Sequence, residues 1–169
     1  MSSADLLVDG FGRIRESVHD VLDGIGDTEL QYRTDPKANT IGWQIWHLTR
    51  VQDDHIAGAG GLAQVWLSGG WFERFSLPLD RGDIGYGHIP DEVAVVRAPA
   101  SLLAGYHDAT YEQTVEFVRG LTEADLDVIV DRRWDPPVTM GARLISVLAD
   151  DLQHVGQAAF IRGLIERLA

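Results

Sequence analysis

Two stretches decide the fold: TIGWQIWHLTRVQDDHIAG at Thr40–Gly58 and LISVLADDLQHVGQAAFIRGLI at Leu144–Ile165. In the first, Trp43, Ile45, Trp46, Leu48, Val51 and Ile56 give a helix from about Ile41 to about Ala57 more apolar surface than one-sided burial needs, so it belongs at the centre of the packing. Asn39 or Thr40 stands where an N-cap is needed. In the second, Leu144, Val147, Leu148, Leu152, Val155, Ala158, Ile161 and Ile165 line one side of a helix running from about Thr139 to Leu168.

Two more helices complete the set. Leu7, Phe11, Ile14, Val18, Val21, Leu22 and Ile25 recur at three- and four-residue steps between Ser3 and about Ile25. Leu102, Leu103, Tyr106, Ala109, Gln113 and Phe117 do so between about Pro99 and Arg119, with Gly120 placed to stop the helix. Val128 to Trp134 reads as extended, ended by Pro136-Pro137. Four long helices with little strand in 169 residues indicate a single all-α domain spanning 1–169, a four-helix bundle. Between helices two and three, Gly58 to about Ala98 forms a long Gly/Trp-rich connection with a short helical piece near Ala63–Phe75, a candidate lid or rim. Its aromatic residues Trp66, Trp71, Phe72 and Phe75 suit either a pocket wall or packing.

Composition narrows the function. Lys+Arg number 14 against Asp+Glu 26, a net charge of -12, which opposes the phosphate neutralisation that nucleic acids and anionic membranes require. Cysteine is absent, so any thiol chemistry must draw its thiol from outside. No basic leader precedes an apolar run, which makes the cytoplasm the expected location. Lys37 is the only lysine, and this Arg-rich usage fits a GC-rich bacterial source.

The candidate chemistry lies on helices two and four. Asp150 and His154 are four apart, so they share one helical face, the spacing by which a helix offers two ligands to one metal ion. His47 sits mid-helix in an apolar run where an unpaired charge would be costly. A bundle that joins these helices would build a three-ligand site with positions left for water or substrate. The competing reading is a buried Asp-His hydrogen bond and a core histidine satisfied by an ordinary acceptor. Asp54, seven after His47, is placed to line the same cavity, and Arg50 either neutralises an anionic substrate or pairs with Asp54. His55 reads as a rim residue, Asp53 as a solvated charge, and His19, His88 and His107 as ordinary histidines.

These two stretches, with GGWFERF at 69–75 and the His-x-Gly-Gln sequence at 154–157, resemble the DinB-like superfamily of four-helix metal proteins over nearly the whole chain. Within it the likeness is to the actinobacterial mycothiol-dependent transferases, including the N-terminal domain of maleylpyruvate isomerase. The resemblance implies metal ligands at His47, His154 and, four before the latter, Asp150. Many members carry His at that last position and the isomerase an acidic residue. Asp is shorter than either, which leaves room for a looser site, a bridging water, or Asp151 in its place. It further implies a divalent ion, Zn²⁺ foremost with Ni²⁺ or Fe²⁺ compatible by ligand type, and mycothiol as cosubstrate. The implied reaction is attack of the activated thiolate on a small-molecule electrophile, by a homodimeric S-transferase or isomerase. Rival readings are a metal-dependent hydrolase on the same site and a non-catalytic metal-binding stress protein.

Overall fold

A computed structural model describes residues 1–168. Four long helices form the bundle: α1 (Ser3–Leu22), α3 (Ile41–Gly60), α7 (Ala100–Arg119) and α8 (Met140–Leu168). Shorter helices lie between them, α2 (Asp27–Leu30), α4 (Val65–Ser68), α5 (Trp71–Phe75) and α6 (Pro90–Val95). A 3-10 turn at Glu123–Asp127 and a small antiparallel ribbon, β1 (Ile129–Asp131) with β2 (Val138–Thr139), precede α8. The extended segment thus shortens to β1, and Pro136-Pro137 lie in the turn between it and β2. Among the described residues no helix is long and apolar enough to cross a membrane.

Helix α3 packs on α7 and, most extensively, on α8, while α1 packs on the same two helices from the other side. Hence α1 and α3 face each other across one diagonal of the bundle. The pairs Gln44–Gln157 and His47–His154 run in opposite sequence directions, so α3 and α8 are antiparallel. Thr49–His107 and Gln52–Thr114 advance together, so α3 and α7 are parallel.

Local signals set the ends of α3. The Thr40 hydroxyl accepts from the Trp43 amide at 3.0 Å, satisfying one of the orphan donors of the first turn. Gly61, at φ 64, provides the left-handed C-cap that a side chain would oppose. Every residue from Ile41 to Asp53 is buried, as the apolar excess of this stretch requires of a central helix.

Two faces differ from the hydropathy pattern. On α7 the buried residues are Leu103, Tyr106, His107, Thr110, Thr114, Val115 and Val118, so Leu102, Ala109, Gln113 and Phe117 lie to the side. The polar members turn inward because α3 offers them partners: Gln52 Nε2 donates to Thr114 Oγ1 at 2.8 Å, and Thr49 Oγ1 meets His107 Nδ1 at 3.2 Å. On α8, Leu152 is 53% exposed and its neighbour Asp151 is fully buried instead.

Candidate metal centre

The antiparallel α3–α8 seam brings three residues together. One ligand atom from each of His47, Asp150 and His154 lies within 4.8 Å of the others. His47 is buried, while Asp150 and His154 are half-buried, so the group sits beneath the surface and opens on one side. The His47 and His154 rings meet edge-on with centroids 4.5 Å apart, and Trp43 stacks on His47 at 4.5 Å.

The environment sets the direction in which each imidazole points its lone pair. His47 Nδ1 donates to the Ile84 carbonyl, which can only accept, so its Nε2 carries the free lone pair. His154 Nδ1 donates to Gln44 Oε1, and Gln44 Nε2 in turn donates to Gln157 Oε1 at 2.8 Å. Its Nε2 stands 3.7 Å from Asp150 Oδ1. Ligating histidines are commonly oriented in this way, with the second ring nitrogen tied to a carbonyl or amide. Burial, reinforced by the neighbouring His154, pushes the His47 imidazole down to about 4, against the pull of its bond to Ile84. Burial also lowers His154, against the attraction of Asp150. His47 is neutral near pH 7, the form a metal ion needs.

The donor set fits a divalent ion. Asp150 Oδ2 is buried with no hydrogen-bond partner, an orphaned acceptor that a cation would satisfy. Two neutral imidazoles and one carboxylate leave a net charge of about +1 on a divalent centre with coordination positions to spare. Asp151, the other candidate carboxylate, is not in the group. It is fully buried, and burial beside the Asp150 charge pushes its carboxyl well above the usual range.

The remaining site residues fall elsewhere. The Arg50 guanidinium is fully buried, donating from Nε to the Asp83 carbonyl at 3.1 Å and from Nη1 to Gln64 Oε1 and Tyr106 Oη at 3.1 and 3.2 Å. Its ion-pair partner is Asp53 at 3.6 Å, not Asp54. Asp53 is no solvated charge: it is buried, and its carboxylate accepts from the Val65 and Trp66 amides and from Tyr106 Oη. Asp54 accepts from Gln64 Nε2 at 2.8 Å and, with His55, lines a different cleft that also holds Arg133 and Arg143. Trp66 packs against Phe75 and Tyr106, at centroid distances of 5.2 and 5.1 Å.

Sequence reading missed four contributors. Ile84 and Gly85 come from the long connection, which crosses α3 as a strap. At φ 89, Gly85 lies so near the site that a Cβ there would stand 2.7 Å from His47 Nδ1. His88 accepts from Trp43 Nε1 at 3.0 Å and faces Asp83 at 3.0 Å, which anchors the strap beside the site. Gln44 lies one turn before His47, and the signal that could have found it is an amide set in the same apolar run. For Ile84 and His88 no sequence signal existed, because their relation to α3 is made by the loop path.

Fold and site together define a class: an all-α bundle protein with a His-Asp-His group, on two antiparallel helices, able to hold a divalent metal ion. The sequence matches the DinB superfamily over residues 11–158, and the chain belongs to that metal-binding superfamily. A crystal structure described as the conserved protein of locus from Enterococcus faecalis is similar throughout, with a TM-score of 0.89, 30% identity and 96% of each chain covered. Comparison with curated proteins finds no match.

Proposed function

We propose that this protein is a metal-dependent thiol S-transferase or isomerase, with mycothiol as the thiol and a small electrophile as its partner. The observation that carries the reading is the oriented group: His47 and His154 each with Nδ1 tied back, His154 Nε2 facing Asp150, and Asp150 Oδ2 without a hydrogen-bond partner. A divalent ion bound there, Zn²⁺ foremost, would lower the pKa of an incoming thiol and stabilise its thiolate. His47, Asp150 and His154 hold it, and Ile84 and Gln44 fix the two imidazoles. The chain has no cysteine, so no protein thiol competes with the cosubstrate for the site. Trp43, stacked on His47, walls the site with an apolar surface that limits water.

In this reading Arg50 and Asp54 act through the fold. Arg50 ties the strap carbonyl of Asp83 to α3, and Asp54 fixes Gln64, which holds Arg50 in turn. A cytoplasmic setting in a mycothiol-producing actinobacterium suits the chemistry. A homodimer would cover the apolar groove where Leu6 and Ile145, each 59% exposed, meet Leu148. Sedimentation velocity tests that part directly.

The central test is elemental analysis of protein purified without a chelating tag, beside His47→Ala and Asp150→Ala variants of verified fold. About one ion per chain in the parent, lost in both variants, is expected, followed by electrophile turnover only when mycothiol is added. Turnover without thiol would reassign the site to hydrolysis. No metal after incubation with Zn²⁺ or Ni²⁺ would remove the catalytic reading and leave a binding protein.

A further inference from the structure

A groove of about 550 Å³ adjoins the candidate metal centre at the N-terminal end of α3, lined by Lys37, Asn39, Gln44, Gln153, Gln157 and Phe160 among others. No Asp or Glu lines it, although the chain has 26 acids and a net charge of -12. Its one cation, Lys37, is the only lysine of the chain. A negative molecule that keeps carboxylates out of one groove leaves a local place where an anion meets no repulsion at contact range.

The hydrogen-bond chain behind the groove has a fixed polarity. With Nε2 of His154 directed to the metal position, its Nδ1 must carry the proton and donate to Gln44 Oε1. Gln44 is buried, so its Nε2 is the group facing Gln157, and Gln157 Oε1 is the acceptor. That leaves the Gln157 amide protons as donors at the groove. Gln153 Nε2 gives one of its two protons to the Ala149 carbonyl, which ties this amide back to its own helix. One turn further along the same wall α8 becomes apolar, with Phe160 64% exposed and Ile161 beneath it.

We propose that this groove binds a small organic carboxylate with an apolar body, the carboxylate between Lys37 and the Gln157 amide, the body on Phe160. The polarity argument rests on the metal reading, because it is Nε2 ligation that fixes the His154 tautomer. Through Gln157, Gln44 and His154 the groove and the metal position are one connected network. Binding at either site therefore favours the same arrangement of the amides, and each ligand strengthens the other by the same factor.

Benzoate serves as the test ligand and benzamide as its uncharged control. Side-chain amide NMR of Gln44 and Gln157 is followed during titration of the metal-free and zinc-loaded protein. Benzoate is expected to shift both amides and to bind more tightly when zinc is present, with benzamide weaker. Lys37→Ala should weaken benzoate about three- to fivefold, the effect of an exposed ion pair. Gln157→Leu should weaken it about tenfold or more, since the bond is to a charged group. Gln157→Glu, similar in size, should abolish binding by placing a carboxylate opposite a carboxylate. Benzoate affinity undiminished in all three variants, read on the Gln44 amide where Gln157 is replaced, or no shift up to solubility, overturns the groove. A cobalt-substituted spectrum that responds to benzoate equally in parent and Lys37→Ala, without amide shifts, assigns the carboxylate to the ion and also overturns it. Failure of zinc to bind while benzoate still shifts Gln157 overturns the metal reading and leaves the groove standing.

Discussion

Gly85 is the residue on which the geometry of His47 most narrowly depends. Its φ of 89 is open to glycine, and a methyl group there would stand 2.7 Å from His47 Nδ1, the atom bonded to Ile84. Gly85→Ala is therefore expected to move the strap and free the imidazole, lowering metal affinity about 10- to 100-fold as loss of an orienting partner does. Competition with a chelating dye measures it, and unchanged affinity would show that Ile84 does not orient the ring. Gln44→Leu is expected to act in the same direction through His154, with the helix intact by circular dichroism. Asp150→Asn keeps the size and removes the charge, so it should weaken the metal more than either.

At the scale of elements, the network joining α3, α4 and α7 carries more than the sequence reveals. Asp53 caps two amides at the start of α4, accepts from Tyr106 Oη and neutralises Arg50, with burial raising its carboxyl against those partners. Asp53→Ala leaves a buried guanidinium without its counter-charge and is expected to destabilise the fold by about 3–5 kcal/mol. Equilibrium urea unfolding reads that directly, and a change under 1 kcal/mol would mean the pair is dispensable. The helices themselves were legible because apolar residues repeat at helical spacing, as Leu7, Phe11, Ile14 and Val18 do in α1 and Leu144, Val147, Leu148 and Val155 in α8. The inward face of α7 was not, because Thr110, Thr114 and His107 are polar and only a partner on α3 makes their burial tolerable. Asp53 was misread for the same reason: its amide partners lie 12 and 13 residues away on a separate helix.

For the whole molecule, two buried histidines set a pH dependence. Thr49 Oγ1 gives its proton to the Ile45 carbonyl, so it accepts from His107 Nδ1–H, and His107 Nε2 is left without a partner in the core. Burial first of all pushes both His47 and His107 down to about 4. Each is protonated near pH 6.5 when unfolded but only near 4 when folded, so the unfolded state binds more protons between those values. Stability from both is full above about pH 6.5 and falls with pH until about 4, below which they cost nothing further. The loss is about 3 kcal/mol for His107 alone. The raised Asp53 and Asp151 carboxyls act in the opposite direction, so the His107 share is read from the change in urea midpoint between pH 7 and 4.5 in the parent minus that in His107→Leu, which should be smaller. Saturating zinc should oppose the same fall at His47 and stabilise the fold by about 4 kcal/mol at 1,000 times its Kd.

The sequence by itself determined the four helices and the all-α class, and it put Asp150 and His154 on one helical face, since helical periodicity and four-residue spacing are properties of one helix at a time. Tertiary structure decided what no single helix contains. It set the antiparallel register that brings His47 to His154, chose Asp150 over Asp151 by helix rotation, and laid the strap so that Ile84 meets His47. It also buried Arg50 and turned Asp54 toward Gln64 and another cleft. The physical reason is one throughout: a side chain's neighbours across helices depend on rotation, register and loop path, which are fixed by packing of the whole core.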